Sequence, residues 1–145
     1  MRFVKSVAIA SVLTLMATTA FAQSLEMRRR YADQEAELAT KTAEAGKACG
    51  IDLKASIDWP SFKSDEVMQK SAVTWCAAGL DALTTLCGDA LGKSAVAAKV
   101  KSLTCSGAAE VSVGLTDGNL AYAFPFSSAS NVNMQTIKSY LEKNL

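Results

Sequence analysis

The chain contains no histidine. That absence removes Ser-His-Asp and Cys-His nucleophilic systems, and most zinc sites, from consideration. A lysine base would need a Ser-x-x-Lys spacing. None follows the N-terminal leader, and the recurrent Lys-Ser neighbours are only a common dipeptide. There is also no Cys-x-x-Cys pair: Cys49, Cys76, Cys87 and Cys105 stand eleven or more residues apart, which excludes the usual dithiol redox motif. The segment 88–94, Gly-Asp-Ala-Leu-Gly-Lys-Ser, has three residues between its glycines where a phosphate-binding loop has four, so the likeness is accidental. Asp33, Glu35 and Glu37 lack the glycine-bearing turn of a calcium loop and read as a charged helix face. No metal and no cofactor is expected.

Long apolar runs are equally scarce. The first, residues 7–16, follows Arg2 and Lys5 and precedes Ala20-Phe21-Ala22, the pattern of a secretory signal peptide over residues 1–22 with cleavage after Ala22. The remaining 23–145 then form one domain in the periplasm or outside the cell. Its first cysteine is Cys49, so no lipobox cysteine opens the mature chain. The other apolar window, 72–91, is rich in Ala and Thr and broken by Asp81 and Asp89, as in a core helix rather than a membrane span. Without Arg2 and Lys5 the fifteen basic residues fall to thirteen against fourteen acids, a formal charge of −1 that argues against nucleic acid as a partner. Arg28-Arg29-Arg30 fans around a helix as solvated charge; an anionic lipid or acidic partner is the alternative use of that run.

Four cysteines in an exported chain of this size imply two disulfides. Apolar residues at Val73, Cys76, Leu80, Leu83 and Cys87 mark one stripe of a central helix over 64–91. On it Cys76 and Cys87 are roughly 16 Å apart along the axis, too far to pair with each other. The favoured pairs are Cys49 with Cys76 and Cys87 with Cys105, because an antiparallel first helix would end near the first half of the central one. The crossed pairs, Cys49 with Cys87 and Cys76 with Cys105, stay open.

Residues 24–48 read as a long amphipathic helix stopped at Gly50, with Met27, Tyr31, Leu38 and Ala45 inward. Ala32, Ala36, Ala39 and Ala43 widen that stripe and permit close approach to the central helix or to another subunit. Residues 51–63 form a connector in which Trp59 and Phe62 plug the end of the core or serve as binding aromatics. Asp52 and Asp58, beside Trp59, are the one carboxylate pair that glycan chemistry could use.

Asp117-Gly118 between two alternating runs predicts a type I′ hairpin, pairing Leu115 with Leu120, Val113 with Tyr122 and Val111 with Phe124 on one side. Ser112, Gly114, Ala121 and Ala123 then lie on a flat open side, a candidate binding surface. A strand over 99–105 would complete a three-stranded antiparallel meander. Asn131 would cap a last helix carrying Met134, Ile137, Leu141 and Leu145. The expected class is α+β: two N-terminal helices, the meander and a C-terminal helix, with the helices packed on one sheet face.

The functional expectation is a non-catalytic protein that binds another envelope or secreted macromolecule, as an inhibitor or immunity-type protein does. The alternatives are a carrier of a small apolar ligand and a carboxylate-dependent glycan enzyme. A protein partner is expected, and a homo-oligomer is compatible with the same surface.

Overall fold

A computed structural model describes residues 10–126 and 134–145, with side chains from residue 24 onward. For the expected leader only the helical backbone from residue 10 is therefore on view, and its cleavage site lies outside the described side chains. The expected loop over 127–130 and the Asn131 cap also lie outside the described residues.

Helix α1 (Ala10–Cys49) turns at Gly50, whose φ of 71° suits glycine, into strand β1 (Lys54–Asp58). A 3-10 turn (Trp59–Ser61) leads to α2 (Ser64–Gln69), α3 (Ala72–Leu86) and α4 (Ala90–Lys99). Then come β2 (Ser102–Gly107), β3 (Ser112–Thr116), β4 (Asn119–Phe124) and α5 (Met134–Asn144). The class is α+β, with two disulfides and helices α1, α3 and α5 against one side of the sheet.

The sheet itself corrects the expected meander. It has four strands in the order β1-β2-β4-β3, with β1–β2 and β2–β4 parallel and only β3–β4 antiparallel. Strand β1 lies in what reads as a connector, and α2, α3 and α4 supply the crossover that a parallel partner requires. The hairpin forms with the expected register, Leu115 opposite Leu120 and Val113 opposite Tyr122, around Asp117 and Gly118 at φ 52° and 86°. Strand β4, rather than β3, takes the place beside β2. Its Leu120, Tyr122 and Phe124 are wholly buried, whereas Val113 and Leu115 of β3 are only partly so. The strand with the larger inward side chains thus occupies the interior position.

The expected central helix is three helices. It breaks at Lys70 and Ser71, where Ser71 accepts from the Thr74 amide and buried Gln34 accepts from the Ala72 amide at 2.7 Å. It breaks again after Leu86, and Asp89 caps α4 by accepting from Gly92 at 2.8 Å. The stripe Val73, Cys76, Leu80, Leu83 and Cys87 is buried as expected.

The disulfides are Cys49–Cys87 and Cys76–Cys105, the crossed set, which replaces the favoured pairing. The reason is direction: α1 ends beside the C-terminal end of α3, so Cys49 meets Cys87, while Cys76 faces Cys105 on inner strand β2.

Seven aromatic rings join in one chain of contacts, from Tyr31 on Trp59 through Phe62, Phe126 and Phe124 to Trp75 and Tyr122. They close the core at the end of the sheet where β1, β2 and β4 all terminate. Ala32, Ala36, Ala39 and Ala43 are exposed instead of covered by the central helix, which corrects their expected burial.

Candidate functional site

Alternation along each strand sends every second side chain away from the helices. The register assembles these into three rows: Lys54, Ser102, Asn119 and Thr116; then Ser56, Thr104, Ala121 and Gly114; then Asp58, Ser106, Ala123 and Ser112. None of the twelve carries a large apolar side chain. The surface is flat and polar, and a Cβ built on Gly114 would meet nothing within 4 Å.

Ser112, Gly114, Ala121 and Ala123, expected on an open side, do lie there, on β3 and β4. The other eight extend the surface, and six of those lie on β1 and β2. Their signal was present in the sequence as polar–apolar alternation over 53–58 and 102–106, but β1 is short and sits in a segment with a Trp-Pro break. Asn119 ties the interior strands together, its Oδ1 accepting from Ser102 at 2.8 Å and Thr104 at 3.0 Å. This side-chain bridge links β4 to β2.

Trp59 and Phe62 are at the end of the core. Phe62 is buried, with its ring 4.8 Å from that of Phe126 and 5.5 Å from that of Phe124, so it serves packing and not contact. Trp59 is half-buried. It stacks on Tyr31 at 4.5 Å, and its indole N–H donates to Glu35 at 2.8 Å. The stack and the hydrogen bond engage one ring face and the indole N–H with partners in the same chain.

Asp52 and Asp58 do not come together. One precedes β1 and the other ends it, six residues of extended chain or roughly 20 Å apart. Paired glycosidase carboxylates stand within about 10 Å of one another. Arg28 and Arg29 are exposed, whereas Arg30 donates to the Val67 carbonyl at 3.4 Å.

On the inner side of the same strands, burial pushes the Tyr122 phenol above its ordinary pKa, and its hydroxyl has no hydrogen-bond partner among the described residues. Among the described residues no cluster of acids and cysteines is arranged to hold a metal ion, and no helix is long and apolar enough to cross a membrane. No family model, curated protein or solved structure matches the chain.

Proposed function

We propose that this is a non-catalytic, disulfide-stapled protein of the periplasm or extracellular space that binds another envelope or secreted macromolecule through its open sheet face. An inhibitor or immunity-type role is of this kind. The observation that carries the reading is the contrast between the two sides of one sheet. One side is sealed by α1, α3 and α5, while the other presents twelve small or polar residues in register across four strands. Antiparallel sheets often leave such a side to solvent. Here, however, two of the three strand pairings are parallel, and parallel sheets are ordinarily covered on both faces. The two buried disulfides support residence in an oxidising compartment.

The test is capture from native envelope and secreted fractions with the tagged, disulfide-intact protein, in parallel with an Ala121→Arg variant. Ala121 is exposed at the middle of the face, so arginine there obstructs a flat partner without entering the core. One stoichiometric protein, retained at moderate salt and lost with Ala121→Arg, supports the reading. A bound small molecule in native mass spectrometry transfers it to a carrier. Turnover of an envelope glycan that is lost with Asp58→Asn transfers it to an enzyme.

A further inference from the structure

The two edges of the sheet are treated differently. At the β3 edge the Leu115 amide donates outward to the Tyr140 hydroxyl of α5 at 3.0 Å, so a side chain occupies it. At the β1 edge nothing does. The Lys54 amide points inward to the Lys101 carbonyl at 3.3 Å, and alternation turns the N–H and C=O of Ala55 and Ile57 outward. Among the described residues these groups have no partner beyond the β1–β2 ladder.

The strand exposed there reads Lys-Ala-Ser-Ile-Asp. Turned through a two-fold axis at Ser56, it is complementary to itself. Lys54 falls opposite Asp58 of a second copy, Ala55 opposite Ile57, and Ser56 opposite Ser56. The parity is also right. Ala55 and Ile57, the residues with outward backbone groups, become the two hydrogen-bonded pairs, and Ser56 and the charged residues become the non-hydrogen-bonded ones. Lys54 and Asp58 are exposed, and neither forms an ion pair within the chain among the described residues.

The surroundings leave room for the same arrangement. Helix α1 runs back along β1, from Gly46 beside Ile51 and Leu53 to Tyr31 beside Trp59. Fifteen residues of helix and six of strand both span about 20 Å. The exposed alanines 32, 36, 39 and 43 follow one another at spacings of four, three and four. Ala39 and Ala43 also wall an open groove of ≈ 570 Å³ beside the start of β1. The two-fold would set two such helices antiparallel on one side of the joined sheet, where small side chains permit a close approach.

We infer that the β1 edge is a homodimer interface, in which two copies pair antiparallel through residues 54–58 to make a continuous eight-stranded sheet. The interface is isologous and closed, so it ends at two copies.

Charge reversal tests it. Lys54→Asp alone and Asp58→Lys alone each set like charges opposite one another twice. The double variant Lys54→Asp/Asp58→Lys restores both pairs with their signs exchanged. Sedimentation across a concentration series is expected to show a dimer for the original and double-variant chains, and dissociation constants raised by about tenfold or more for either single variant. A Ser56→Cys chain is expected to form a covalent dimer on oxidation, because the paired Cα atoms would lie about 4.5 Å apart. An Ala121→Cys chain should not, with five strand spacings or roughly 24 Å between its cysteines. A monomer at every concentration overturns the inference, as does a dimer indifferent to the single reversals or one that the double variant fails to restore. In the monomeric case Lys54 and Asp58 instead guard the edge against pairing.

Discussion

A buried phenol without a partner is a cost that the rest of the core must offset. The Tyr122 hydroxyl is such a group, so Tyr122→Phe removes an unsatisfied polar atom while keeping the ring on Phe124 at 5.0 Å. We expect the variant to be as stable as the original chain or up to about 1 kcal/mol more stable by chemical denaturation. The pH dependence has a definite sign. Burial raises the folded-state pKa above the ordinary value of 10.0. As pH rises through that value the unfolded chain loses the proton while the folded chain keeps it, so the contribution of Tyr122 to stability is constant well below pH 10 and falls as pH rises beyond it. Melting curves compared on either side of pH 10 should show this fall for the original chain, with Tyr122→Phe lacking that part of it. Gly107 illustrates the opposite constraint. A Cβ there would sit 2.6 Å from the Ser61 carbonyl and 2.8 Å from the Phe62 ring, and the Gly107 amide donates to Ser61 Oγ at 2.7 Å. Gly107→Ala should therefore cost about 1–3 kcal/mol, read as a lowered denaturation midpoint. The sequence marks Gly107 only as part of a Ser106-Gly107 turn, whereas the structure keeps it in β2 opposite Phe124, and it marks Tyr122 only as an inward hairpin residue; the constraint on each depends on what the fold brings beside it.

At the scale of elements, what could be read in advance was local. The hairpin around Asp117 and Gly118 needs only its own positive φ values, and the buried stripe of α3 needs only helical spacing. What could not be read was which elements neighbour one another. A hairpin rule pairs β3 with β4 but says nothing of which sits beside β2. That choice falls to β4 through its three wholly buried side chains and the Asn119 bridge to Ser102 and Thr104. The open side shows the same division: six of its twelve residues lie on the hairpin and follow from its alternation, whereas the six on β1 and β2 depend on sheet order. The cysteines follow the same logic. Spacing excluded a Cys76–Cys87 bond, but only the placement of the end of α1 decides between the two remaining sets. Non-reducing peptide mapping should give Cys49–Cys87 and Cys76–Cys105. The sequence separations are 38 and 29 residues. Replacing either pair with serine should thus cost roughly 3–4 kcal/mol on the chain-entropy account, measured by thermal unfolding.

For the whole molecule, the size of the open face sets what it can hold. Four strands at about 4.8 Å and five residues at about 3.3 Å cover roughly 300 Å², whereas a stable protein partner usually takes about 800 Å² on each side. Pairing through β1 would double the flat area without a new element, since the two faces become one sheet. A partner laid across the β1–β1 junction would then bind the dimer in preference to the monomer, and by linkage would promote dimerisation to the same degree. The expected outcome is that Lys54→Asp weakens capture of the partner as well as self-association, and that Lys54→Asp/Asp58→Lys, which also exchanges two charges of the face itself, restores self-association. Ala121→Arg should behave differently, abolishing capture while leaving the dimer intact, because Ala121 lies two strands away from the edge. Titration of partner into each variant, with stoichiometry read by sedimentation, separates these cases. Capture by Lys54→Asp at original strength would mean that one protomer's face suffices, and that the partner reaches beyond the sheet for the rest of its contact area.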